Sequence, residues 1–158
     1  MKLFIFSLFV SLNVLATINH FSLDSHKSFY IVDGDSISLQ MRIAGIDTPE
    51  LNQTCRKYVD QIIDCGQLSK RYLHKLLKSL PGELVILPVG IDNYQRILVR
   101  VYKGEVNVGK RMIESGMAFS YKDTYKQEEK VARTEKIGFW GFDTLPVKPY
   151  KWRKLNKR

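Results

Sequence analysis

Residues 33–50 read DGDSISLQMRIAGIDTPE, setting four carboxylates, Asp33, Asp35, Asp47 and Glu50, around Arg42 in a stretch otherwise mostly apolar or small. Between them, Ile37, Leu39, Met41 and Ile43 alternate with Ser38, Gln40 and Arg42, the period of a strand with one buried face. The acids therefore flank a strand beside a core, where a fold must neutralise them. Each end has an ordinary account. Asp33-Gly34 is a common turn pair, and Thr48-Pro49-Glu50 reads as a helix start, with Thr48 as cap and Pro49 at the first helical position. Together they leave the repulsion unexplained, because neighbouring carboxylates raise one another's pKa unless a cation intervenes. Hard oxygen ligands of this kind are what Ca²⁺ or Mg²⁺ selects, and a divalent cation between Asp35 and Asp47 would resolve it.

The chain has 158 residues, 44% of them apolar, enough for one core and too few for two domains. Lys and Arg number 25 against 16 Asp and Glu, a formal charge of +9. An excess of that size favours a polyanionic partner, nucleic acid first and an anionic membrane surface second. Residues 1–16 carry Lys2, an apolar run and Val14-Leu15-Ala16 as a small-residue cleavage site, the pattern of a secretory signal peptide. An uncleaved anchor is the alternative, but the run is shorter than the roughly 20 residues of a spanning helix. The mature chain is expected to start near Thr17, to be exported to a periplasm or the medium, and to be a monomer with no transmembrane span. In an oxidising compartment Cys55 and Cys65 read as a disulfide; a metal site would want more soft ligands, and the nearest histidine is His74.

Residues 17–27 are patternless, and residues 28–32 open a first strand that Asp33-Gly34 turns into the next. A helix is expected over 67–79, with Leu68, Tyr72, Leu73, Leu76 and Leu77 on one face, Lys70, Arg71, Lys75 and Lys78 solvated on the other, His74 at the surface, and Pro81-Gly82 as its stop. Strands follow over 83–89 and 97–102, then a short helix from Asn107 to Gly116, a strand over 117–121 and a charged helix over 127–137. Phe139 and Trp140 pack that helix inward. Tyr121, Tyr125, Lys122 and Lys126 have the aromatic and basic mix that stacks bases and holds phosphates, or are ordinary surface-loop composition. From Lys148 onward six of eleven residues are basic, which reads as a disordered tail adding nonspecific affinity for nucleic acid.

Three segments in order, DGDS, RIAGIDTPE and DNYQR at 92–96, resemble the signatures of the staphylococcal (micrococcal) nuclease family, the thermonucleases, and the similarity runs from about Tyr30 to about Trp140. The resemblance implies an α+β, mainly β, fold: a five-stranded OB-fold barrel with about three helices over 28–142, followed by a basic tail over 143–158. It implies hydrolysis of DNA and RNA phosphodiesters with Ca²⁺ to 3′-phosphorylated ends. Asp35, Asp47 and the Thr48 carbonyl would hold the ion, with Asp33 behind them. Glu50 would be the general base, Arg42 and Arg96 would grip phosphate, and Tyr94 would contact substrate. Two departures stand out. Family members place a hairpin turn between the aspartate loop and the arginine, whereas six residues separate Asp35 from Arg42 here; an unbroken strand would face them apart, so a bulge or tight turn near Leu39-Gln40-Met41 is needed to bring both to one site. Gln95 also stands where the family has glycine, so a φ above zero would strain it. The alternative function is a noncatalytic exported OB module that binds nucleic acid, which would have no need of the full set Asp35, Arg42, Asp47, Glu50 and Arg96.

Overall fold

The structure, a computed structural model, describes residues 29–156; the expected signal peptide over 1–16 and the leader over 17–27 lie outside the described residues. β1 (Phe29–Ile31) and β2 (Ile37–Leu39) form an antiparallel hairpin across the Asp33-Gly34 turn. At Gln40 the chain leaves this hairpin, and β3 (Met41–Ile43) joins a different sheet. The chain thus breaks near Leu39-Gln40-Met41 by a change of sheet, with Asp35 left in the exposed β1–β2 turn. The break also alters the expected burial: Ile37 and Met41 are exposed rather than half-buried.

The central sheet runs β3, β8 (Ile97–Lys103), β7 (Leu84–Ile91), with β9 (Val106–Asn107) at the far end of β8. β3 runs parallel to β8, with Arg42 opposite Leu98, and β7 is antiparallel to β8, its register shifting between Pro88 and Gly90. On β8 the inward Ile97, Val99 and Val101 are buried as their alternation requires. They join Ile46, Leu76, Val108, Met112, Ile113 and Ala118 in the main core. α1 (Cys65–Ser79) adds Tyr72, Leu73 and Leu77 to this core, while its four basic residues and His74 face solvent as expected. α2 (Val108–Glu114) starts at Asn107, whose side chain accepts from Lys110 N at 3.0 Å.

β4 (Ile46–Asp47) pairs antiparallel with β10 (Phe119–Ser120), Phe119 opposite Asp47. α3 (Lys126–Thr134) lies on α2, joined by a Lys110–Glu128 ion pair at 3.2 Å. Behind it Phe119, Ala132 and Trp140 form a second cluster, with Arg133 3.8 Å over the Trp140 ring. Residues 54–64, directly after the acidic stretch, fold as a hairpin of β5 (Thr54–Tyr58) and β6 (Gln61–Asp64), whose base is closed by the Cys55–Cys65 disulfide. That bridge is buried against Phe139.

Two expectations need correction. The α+β class and the OB-type fold hold, but among the described residues the strands form separate sheets rather than one closed five-stranded barrel, because β1 and β2 pair only with each other. The tail is ordered: residues 149–155 form a fourth helix, α4 (Pro149–Leu155), with Pro149 at its first turn and buried. Proline preorganises a helix start, and the buried Pro146 and Pro149 fix this segment against the body.

Opening the short Cys55–Cys65 loop, ten residues apart in sequence, should lower stability by about 2–3 kcal/mol in the chain-entropy account. Urea denaturation of Cys55→Ser/Cys65→Ser against the native chain measures it. An unchanged midpoint would mean that the hairpin holds without its bridge.

Candidate active site

Asp47 is the centre of the site. β4 and β10 hold its backbone, the adjacent Ile46 is in the core, and its side chain is 6% exposed. A buried carboxylate needs a charged or hydrogen-bonding partner, and Asp47 has two. Arg42 Nη2 donates to Asp47 Oδ1 at 2.7 Å and to Ile46 O at 3.4 Å. Arg153, from α4, donates from Nη2 to Asp47 Oδ2 at 3.1 Å and from Nη1 to Asp47 Oδ1 at 3.3 Å. The same Nη1 reaches Glu50 Oε1 at 2.6 Å. One guanidinium therefore spans both carboxylates. Burial works against its charge, but the hydrogen bonds to Asp47 and then Glu50 outweigh that and raise the Arg153 pKa further.

Glu50 does not open a helix. It begins a turn in which Gln53 N donates to Glu50 O at 2.8 Å, and Thr48 lies in the irregular link between β4 and this turn. Gln53 is fully buried: its Oε1 accepts from Glu50 N at 3.1 Å and its Nε2 donates to Val147 O at 2.7 Å. It ties the Glu50 turn to the C-terminal segment. Gly66, in the first turn of α1, closes the turn from the other side, since a Cβ there would overlap Glu50 O.

The second arginine, Arg96, immediately precedes β8, two positions before Leu98, the residue opposite Arg42. Asp92 organises its loop, accepting from Tyr94 N at 2.8 Å and Arg96 N at 3.0 Å, and pairing with Arg96 Nη2 at 2.6 Å. Burial disfavours the Asp92 carboxylate, yet the Arg96 bonds prevail and hold its pKa below the ordinary value. Its share of stability is therefore present above the ordinary aspartate pKa and is lost as pH falls through the lowered one.

Gln95 has φ 62°, the left-handed region expected from its place in the glycine position. A side chain there costs about 1–2 kcal/mol, part of which glycine gives back through its freer unfolded chain. Gln95→Gly should therefore raise stability by up to about 1 kcal/mol, read as a higher denaturation midpoint; a lower midpoint would show that the Gln95 side chain holds the loop.

Tyr94 is 74% exposed, with Arg96 5.3 Å from its ring centroid, open to a substrate. Tyr121 is exposed beside Lys122, whereas Tyr125 is half-buried, packing on the core with its hydroxyl donating to Asn107 Oδ1 at 3.3 Å. The acids divide. Asp33 and Asp35 sit exposed in the β1–β2 turn, Asp33 accepting from Asp35 N at 3.3 Å and Asp35 from Ser36 Oγ at 3.1 Å. Hydrogen bonds from Ser36, then Asp35, lower the Asp33 pKa. No described hydrogen bond or ion pair joins either acid to Asp47, and among the described residues no three acidic, histidine or cysteine side chains gather to hold a metal. The pair Asp47 and Glu50 nevertheless offers hard oxygens converging on one cationic group, the Arg153 guanidinium. That donor set fits a hard divalent cation.

Arg153, Gln53 and Gly66 were not apparent as site residues from the sequence. The Lys148-Pro149 pair is a helix-start signal that marks α4; nothing local signals that its arginine meets acids about a hundred positions earlier.

Residues 40–141 match the model of a family described as staphylococcal nuclease homologue. The chain is 33% identical over 140 residues to an uncharacterized endonuclease of Haemophilus influenzae, a match covering 80% of this chain and 71% of that protein. It is 31% identical over 125 residues to a probable staphylococcal-like nuclease of Oryza sativa subsp. japonica, covering 75% of this chain and 22% of the rice protein.

Proposed function

The chain belongs to the staphylococcal nuclease family, and on that premise we propose that it is an exported, Ca²⁺-dependent endonuclease cleaving DNA and RNA to 3′-phosphorylated ends. The observation that carries the reading is the meeting of Arg42 and Glu50 around the buried carboxylate of Asp47, with Arg96 just before the strand that pairs with Arg42. A binding module has no use for a buried acid beside a tethered glutamate.

Bound Ca²⁺ would supply a positive charge that polarises the scissile phosphate. Asp47 and the Thr48 carbonyl would hold it, and Asp35 would have to be carried to them from the exposed β1–β2 turn to serve as a third oxygen. Glu50, fixed at both backbone atoms by Gln53, takes a proton from the water that attacks phosphorus in line. Arg42 presents forked donors to the phosphate oxygens where charge builds up. Arg96 does the same from the loop before β8, and exposed Tyr94 offers a face to the adjacent nucleotide. The +9 charge draws the polyanion in. A disulfide in the chain supports export, since such bridges persist in oxidising compartments.

The test is plasmid DNA and single-stranded RNA incubated with the purified chain in Ca²⁺, in Mg²⁺ and in EDTA. Cleavage is expected in Ca²⁺ and none in EDTA, with fragments that need phosphatase before 3′ extension. Retardation of DNA without cleavage in either cation would leave only a binding module.

A further inference from the structure

The contacts of Asp47 engage both of its oxygens. Oδ1 is taken by Arg42 and Arg153, and Oδ2 by Arg153. The geometry points to α4 as an internal latch: Arg153 occupies, with its own cationic head, the Asp47 carboxylate that a divalent cation would use, while also holding Glu50, and it must leave Asp47 for that cation to bind. This rests on the reading of Asp47 as a metal-holding residue.

Several observations carry it. In the described arrangement two carboxylates, Asp47 and Glu50, face two guanidiniums, Arg42 and Arg153, so the charge is balanced without a metal. A divalent ion added beside both arginines would meet like charge at close range, whereas one replacing Arg153 would not. Arg42 has a second anchor at Ile46 O and sits in a sheet; Arg153 sits on the element that can move. α4 is seven residues long, too short to persist as an isolated helix. Most of its residues are exposed, and it is held mainly by Pro149, Arg153 and the Gln53–Val147 bond just before it. The family match ends at residue 141, so Arg153 lies beyond the part of the chain that the family pattern covers.

The latch makes two measurable demands on the full chain. By calorimetry without nucleic acid, Arg153→Gln should bind Ca²⁺ about tenfold tighter than the native chain, because the cation no longer competes with a bidentate guanidinium. Lys151→Gln, which removes the same charge from an exposed neighbour, should change the affinity far less. Hydrogen exchange supplies the second readout: adding Ca²⁺ to the native chain should lower amide protection over 149–155. Unchanged or weaker Ca²⁺ binding by Arg153→Gln, or helix protection that Ca²⁺ leaves intact, overturns the latch and makes Arg153 a support of the site instead. A chain that binds no Ca²⁺ with or without the substitution overturns it too. The nuclease reading is judged separately, since tighter Ca²⁺ binding by Arg153→Gln with no cleavage of DNA would keep the latch and remove the enzyme.

Discussion

Glu50→Gln lowers turnover on plasmid DNA by about 10²-fold or more, with Ca²⁺ binding weakened far less than turnover. Glutamine keeps the shape of the side chain and the backbone bonds to Gln53, so the turn stays closed. It cannot take a proton from water. The side chain is 35% exposed, leaving room for that water, while Gln53 and Gly66 deny the backbone a second position. Single-turnover rates on duplex DNA, read beside the melting temperature, separate lost chemistry from lost folding. Turnover within a few fold of the native chain, at an unchanged melting temperature, would remove Glu50 from the mechanism.

Arg42→Lys is the second large effect, a fall in kcat/KM of about 10²-fold. The charge is kept, so Asp47 retains a cation and the fold survives. What goes is the planar fork. Arg42 now meets Asp47 Oδ1 and Ile46 O with a single nitrogen, leaving its other donors for phosphate; a lysine ammonium can hold Asp47 or a phosphate oxygen but cannot match two oxygens in one plane. The loss should fall on kcat more than KM, because the matched charge develops in the transition state. A change confined to KM would make Arg42 a simple binder of substrate.

How much of this could be read in the residues depends on the range of the interaction. Local patterns held where local physics decides: the α1 face, the alternation on β8, the helix start at Asn107 and the Asp33-Gly34 turn. A break in the 37–43 strand was legible because side-chain period is rigid, and the chain changes sheets at Gln40 but leaves Asp35 in the exposed β1–β2 turn. The helix expected at Thr48-Pro49 is absent, since pairing of β4 with β10 and the grip of Gln53 outweigh a short run of start signals. Tyr125 sits in a base-stacking mix of residues, and its half-buried ring also packs on the core with its hydroxyl on Asn107. The tail was misjudged most, because basic composition describes solvation and not the two acids waiting for one of its arginines.

Gly66 shows how far the site reaches into parts with no chemistry of their own. In an exposed helix, exchanging glycine for alanine is a routine improvement worth about 1 kcal/mol. At the head of α1 the missing methyl is the space that the Glu50 carbonyl fills. The helix thus gives up some of its own stability so that a neighbouring peptide can sit flush against it, and anyone tuning this protein for heat resistance by scanning its helices should leave that position alone.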